Sequence, residues 1–189
     1  MLILASNSPR RKELLSLITN DFTVCAADAD ETLPNGISPE EAVVYLSELK
    51  ARAVFNGEDT VLGADTVVVL DGEILGKPRD DGEAFSMLKA LSGRAHSVYT
   101  GVTLLHAEKS ISFFRETAVY FNELSDEEIR DYIKTGECRD KAGAYGIQGY
   151  GSRFVKSISG DYFNVVGLPV SAVYLSLKSL GFFVDNNKN

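Results

Sequence analysis

Thr60-Val-Leu-Gly-Ala-Asp-Thr-Val-Val-Val-Leu70 is an apolar, β-branched run without alternation, the pattern of a strand covered on both faces. It predicts the centre of a sheet. Val61, Gly63, Asp65, Val67 and Val69 share one side of the pleat, and Leu62, Ala64, Thr66, Val68 and Leu70 the other. Asp65 is the anomaly, because an ionised carboxylate in such a run is costly unless a cation, a metal or hydrogen bonds compensate it. It reads either as a structural Asp tied to a neighbouring loop or as a reacting or metal-binding carboxylate at the mouth of the sheet. Gly63, which clears space beside it, favours the second.

Outward from this strand, further strands and helices can be read in order along the chain. Leu2 to Ala5 predicts a buried strand, and Ser8-Pro9 a helix start with Leu14, Leu15 and Ile18 facing inward. Phe22 to Ala26 predicts a second strand, running into the acidic loop Asp28-Ala-Asp-Glu31. Ser38-Pro-Glu-Glu41 is a capping box that opens a helix to about Phe55. After the central strand, Asp71-Gly72 is a hairpin turn into Glu73 to Leu75, and Gly76-Lys-Pro78 leads to a helix from about Asp80 to Leu91. His96 to His106 and Ile111 to Phe121 form a long hairpin, and Ser125-Asp-Glu-Glu128 caps a helix to about Thr135. Ser152 to Ile158 and Tyr162 to Val166 predict further strands. Gly167-Leu-Pro169 opens a last helix that Gly181 ends, before a polar tail at Asn186 to Asn189. No linker or repeat divides the chain, so a single domain over 1–189 is expected.

A chain of 189 residues with a formal net charge of −8 lacks the basic footprint of a nucleic-acid or membrane-surface binder. A small polyanion remains compatible, because a local cationic cluster can oppose the global sign. No signal peptide or bilayer-length apolar run is found, and Cys25 and Cys138 are too few and too distant for a disulfide framework, so a cytoplasmic protein is expected. Such a cluster exists at the first helix, where Arg10, Arg11 and Lys12 occupy a turn whose dipole favours negative charge. Three cations there make sense if an anion binds, with Ser6 and two guanidinium forks converging on phosphate oxygens; a solvated basic turn is the alternative. Lys50 falls inside the apolar arc of Ala42, Val43, Leu46, Leu49, Ala53 and Val54, either snorkelling or pointing at Asp65 or a phosphate. Lys77, pinned between Gly76 and Pro78, suits a placed phosphate contact or an ordinary turn. Glu31 is the loop acid best suited to help Asp65 hold a divalent cation through hard oxygens. The late glycine loop Asp140-Lys-Ala-Gly-Ala-Tyr-Gly-Ile-Gln-Gly-Tyr-Gly151 lets backbone approach a ligand, and Tyr145 or Gln148 in it could stack on a base or read its edge. It is neither a P-loop nor a dinucleotide fingerprint.

Ala5-Ser-Asn-Ser-Pro-Arg-Arg11, Leu49-Lys-Ala-Arg-Ala53, Gly63-Ala-Asp-Thr66, Gly76-Lys-Pro78, Ser92-Gly-Arg94 with His96, Asp140-Lys-Ala-Gly-Ala-Tyr-Gly-Ile-Gln-Gly149 and Val166-Gly-Leu-Pro169 occur in one order. Across nearly the whole chain this set resembles the Maf proteins, cytoplasmic nucleoside triphosphate pyrophosphatases also called septum formation inhibitor proteins. The resemblance implies an α/β fold like that of inosine triphosphate pyrophosphatases, an elongated mixed β-sheet flanked by helices, with two lobes around a substrate cleft. It implies hydrolysis between the α- and β-phosphates to a monophosphate and pyrophosphate with a divalent cation, Mg²⁺ or Mn²⁺. Asp65 matches the catalytic carboxylate, Glu31 its acidic partner, and Ser6, Arg10, Arg11, Lys50 and Lys77 the phosphate-handling positions. Arg10, Thr66 and Gln148 match the positions that separate subfamilies, and they look like the dTTP/UTP subgroup. The 7-methyl-GTP subgroup instead has Ser-Asp-Gln at the Gly-Ala-Asp-Thr motif. A homodimer is also implied. Two other readings stay open: a house-cleaning enzyme for modified nucleotides, and a nucleotide-responsive cell-division regulator acting through a partner with incidental hydrolysis.

Overall fold

The central run forms the strand it predicts. In the computed structural model, which describes residues 1–183, β3 spans Thr60–Leu70, and all its residues but Thr66 are buried. The polar tail at Asn186 to Asn189 lies outside the described residues. β1 (Leu2–Ala5) runs parallel to β3, with Ala5 opposite Gly63, and parallel on its other side to β2 (Thr23–Val24). β4 (Glu73–Leu75) returns antiparallel along β3, while β5 (Ala95–His106), β6 (Lys109–Phe121) and β7 (Val155–Ser159) follow. The sheet has seven strands in the order β2-β1-β3-β5-β6-β7, with β4 attached to β3 and β7 antiparallel to β6. It is mixed, as expected.

The helices begin where their caps place them. α1 (Pro9–Ser16) starts at Ser8, α2 (Pro39–Val54) at the complete capping box of Ser38 and Glu41, and α3 (Asp81–Leu91) at Asp80. α4 (Asp126–Lys134) starts at the second capping box, Ser125 with Glu128. Tyr162–Val166 is not a strand but a short helix, α5, ahead of α6 (Val170–Ser179). Its β-branched and aromatic composition suggested a strand, and tertiary bonds override that preference. The Asp161 carboxylate accepts from the Phe163 amide at its start. The fully buried Asn164 donates to the Val98 carbonyl and the Thr117 hydroxyl, which requires its side chain to leave a helical turn toward β5 and β6. The second strand is also shorter than Phe22 to Ala26, with both its residues exposed.

Two compact units divide the described fold, the chain passing between them several times. The first comprises residues 1–65, 100–114 and 167 onward, and the second 66–99 and 115–166. In the first, Ile3, Ala5, Ala51, Val61 and Leu105 pack together. α2 lies so close on the strands that a Cβ at Gly63 would overlap the Ser47 carbonyl oxygen and approach the Ala51 nitrogen to 2.7 Å. A Cβ at Gly101 would likewise overlap the Val43 carbonyl. In the second unit the core gathers Val68, Leu88, Leu91, Val98, Phe121, Ile129, Tyr132 and Phe154. His96 and Tyr145 are buried within it and joined by a 2.7 Å hydrogen bond, both rings edge-on to Phe121. Cys25 and Cys138 are free thiols, one exposed and one buried.

Candidate active site

Asp65 closes the first unit's share of β3, on the pleat face it was expected to share with Val61 and Gly63. Gly63 serves that face differently from the expectation. The room it leaves is filled by the backbone of α2, which brings the helix down on the strand. Lys50 therefore does not snorkel. Its ammonium donates to Asp65 Oδ1 at 2.6 Å and lies 3.1 Å from Glu31 Oε2. Lys50 and Asp65 side chains are each 12% exposed, whereas Glu31, on its loop, is 52% exposed. The inner pair is weakly screened, so its attraction counts for more than a surface ion pair, and the carboxylate is compensated by a cation as its burial demands.

Beside this triad stands the turn between β1 and α1. Ser6 follows β1, its amide bonded to the Leu4 carbonyl, and its hydroxyl oxygen accepts from the Ser8 amide at 3.2 Å and from Arg11 Nη1 at 3.3 Å. Arg11 Nε donates to the Gly167 carbonyl at 2.9 Å, so the guanidinium is held from β1 and from the start of the segment leading into α6. Burial lowers the pKa of Arg11 from its ordinary value. The negative charge of Asp65 opposes that shift, Arg10 adds to it, and Glu31 opposes it. The guanidinium remains charged in any case, and the couplings put Arg10, Arg11, Asp65 and Glu31 in one electrostatic neighbourhood. Five expected site residues, Ser6, Arg11, Glu31, Lys50 and Asp65, are thus linked by hydrogen bonds, ion pairs or charge couplings, with Arg10 next to them.

Thr66, Lys77 and Gln148 belong to the second unit. Thr66 follows Asp65 on the opposite pleat face. Lys77 sits in the turn after β4, where the Gly76 carbonyl accepts from the Gly143 amide of the glycine loop. Gln148 precedes a 3-10 turn, Gly149–Phe154. That turn is governed by Glu137, a residue the sequence pattern did not single out. Glu137 Oε2 accepts from the Tyr150 amide at 2.8 Å, and Oε1 from the Gly151 amide at 3.0 Å and the Tyr132 hydroxyl at 3.1 Å. Gly149 holds a φ of +67°, and a Cβ there would come within 2.5 Å of the Glu137 carboxylate, so glycine is required twice over. The only advance signal was the glycine spacing, which says that something approaches closely but not what.

The donor set suits a hard divalent cation. Asp65 and Glu31 offer carboxylate oxygens around one point, the number with which Mg²⁺, keeping waters and substrate phosphates, is usually held. Among the described residues no three His, Cys, Asp or Glu side chains cluster to hold a metal by themselves. A shallow groove of about 610 Å³ on α2, between Pro34, Ile37, Val44, Tyr45 and Phe114, is lined by none of these residues. No described helix is long and apolar enough to cross a membrane.

Known proteins resemble this chain along nearly its whole length. A dTTP/UTP pyrophosphatase of Thermococcus gammatolerans is 53% identical over 185 residues, covering 97% of this chain and 98% of the relative. A protein of the same name from Bacillus cereus is 48% identical over 187 residues, with 98% of each covered. One from a Geobacillus species is 52% identical over 183 residues, covering 96% and 98%. Among solved structures, a HAM1 protein from Coxiella burnetii matches with a TM-score of 0.51 at 13% identity over 94% of this chain and 98% of that one, a likeness of fold alone. The model of the family described as Maf-like protein matches residues 1–180, and the chain belongs to that family.

Proposed function

We propose that this chain is a nucleoside triphosphate pyrophosphatase that hydrolyses dTTP and UTP to the monophosphate and pyrophosphate. Membership of the family and the shared name of relatives near 50% identity support the reaction. The observation that carries it to particular atoms is the Asp65–Lys50–Glu31 cluster beside the Ser6–Arg11 turn.

Arg10, Arg11, Lys50 and Lys77 neutralise the triphosphate, Arg11 presenting a guanidinium already fixed by Ser6 and Gly167. Ser6 and the amides opening α1 orient phosphate oxygens. Asp65 deprotonates or orients the water that attacks phosphorus. A divalent cation, Mg²⁺ or Mn²⁺, held by Asp65 and Glu31, supplies Lewis-acid neutralisation of phosphate oxygens when bound. Thr66 and Gln148, with Arg10, set the preference for a pyrimidine. The same reading carries a homodimer in the cytoplasm, action on modified nucleotides, and a tie to septum formation through a division partner.

A panel of canonical and modified triphosphates with pyrophosphate detection, run with Mg²⁺ and with Mn²⁺ on wild type and Asp65→Asn, tests it. The expected result is preference for dTTP and UTP and a turnover number reduced by orders of magnitude in the variant while triphosphate binding largely survives. Wild-type turnover in Asp65→Asn would sink the assignment. Turnover below roughly one per minute on every substrate, against an enzyme median near 10 per second, would favour the regulator instead.

A further inference from the structure

The point between the two candidate metal carboxylates is taken by a cation that belongs to the chain. The Lys50 ammonium is 2.6 Å from Asp65 Oδ1 and 3.1 Å from Glu31 Oε2. A Mg²⁺ ion bound to the same carboxylates would stand about 2.0–2.1 Å from their oxygens. A divalent ion and the ammonium would then press on the same oxygens with like charges, in a place where the Lys50 and Asp65 side chains are each only 12% exposed and poorly screened. The root of Lys50 cannot retreat, because α2 is seated on Gly63 through backbone contacts. Its four-carbon stem and three rotatable donors can swing toward a new anion.

We propose that the Lys50 ammonium and the divalent cation are alternative occupants of the Asp65–Glu31 pair. This rests on the metal reading above. By itself the chain binds the metal weakly, its carboxylates being already neutralised. A nucleoside triphosphate changes that by offering phosphate oxygens to Lys50, which frees the carboxylates for the cation that arrives with the nucleotide. Lys50 is then an internal counter-ion that couples metal binding to nucleotide binding, in addition to contacting phosphate, and by linkage the coupling is reciprocal.

The test is titration of the full chain with Mn²⁺ alone, the free ion read by electron paramagnetic resonance, on wild type, Lys50→Met, Asp65→Asn and the double variant. It is repeated with a dUTP analogue bridged by a non-hydrolysable α,β-methylene group. Lys50→Met is expected to bind Mn²⁺ alone at least about tenfold more tightly than wild type, and the analogue to raise the wild-type affinity by a larger factor than that of the variant. Lys50→Gln, which keeps a donor for Asp65, is expected to show the same gain and covers a failure of Lys50→Met to fold. Equal or weaker Mn²⁺ binding in both Lys50 variants, or equal enhancement by the analogue, overturns the proposal. Loss of Mn²⁺ affinity in Asp65→Asn with no gain in the Lys50 variants overturns the competition alone. A Lys50→Met gain that persists in the double variant places the metal elsewhere and overturns both readings.

Discussion

Replacing Gly63 by alanine should uncouple the site from the fold in a measurable way. The new Cβ would overlap the Ser47 carbonyl oxygen and lie 2.7 Å from the Ala51 nitrogen and 3.0 Å from the Ala51 Cβ. Comfortable contacts begin near about 3.5 Å, so α2 has to rise from the sheet by roughly 1 Å. The obstacles are mainly backbone atoms of a helix, with no rotamer to turn aside. Overpacking of this kind costs about 1–3 kcal/mol, and a backbone obstacle puts the expectation at the top of that range. Moving α2 by about 1 Å also draws the root of Lys50 away from Asp65, so the 2.6 Å contact must stretch or the side chain must leave its present geometry. Urea unfolding followed by circular dichroism should give a midpoint lower by the equivalent of about 2–3 kcal/mol, and hydrolysis of dTTP should fall as well. Gly76→Ala is the control, since a Cβ there meets nothing within 4 Å. An unchanged midpoint and unchanged kcat/KM in Gly63→Ala would refute the claim that close approach of α2 builds the site.

Two further outcomes follow from the second unit. Burial pulls the His96 imidazole down from 6.5 to about 4. Between those values the unfolded chain binds the extra proton and the folded chain does not, so this contribution is fully present above pH 6.5 and is lost as pH falls toward 4. The loss is on the order of 3 kcal/mol; urea midpoints at several pH values should lose that slope in His96→Gln, and an identical slope would refute it. Glu137→Ala strips acceptors from the Tyr150 and Gly151 amides and from the Tyr132 hydroxyl, and should cost roughly 2 kcal/mol. Hydrogen exchange at those two amides should accelerate in Glu137→Ala, and unchanged protection would count against the carboxylate as the anchor of the glycine loop.

What could be read before folding was what is written locally. The β3 run declares its burial through composition, and Ser38 and Ser125 declare helix starts because a capping box needs residues only three apart. Lys50 announced itself as a charge inside an apolar arc, but which of its two fates it met depended on Gly63, whose partner is 12 and more residues upstream. Tyr162–Val166 misled because its residue types favour strands, while the bonds that wind it into a helix run from Asn164 to Val98 and Thr117. Glu137 was invisible because its partners lie 13 and 14 residues on and involve backbone amides, which leave no trace in side-chain identity. The proximity of Glu31 to Lys50 had the same character: the loop acid was singled out by type, and only the folded chain joins it to the helix.

The pairing of Ala5 with Gly63 also sets a tolerance on assembly. Side chains alternate along a strand, so a slip of β3 by a single residue would turn Asp65 away from Lys50 and put Thr66 in its place. Such a chain would keep nearly the same apolar composition on both faces, because the run is hydrophobic throughout and penalises the error little by burial alone. What distinguishes the correct alignment is the fit of a glycine beneath α2 and the attraction of one carboxylate for one ammonium. The residues proposed for catalysis thereby act as a proofreading mark for the sheet, and recovery of activity after refolding becomes a direct count of chains whose central strand found its proper alignment.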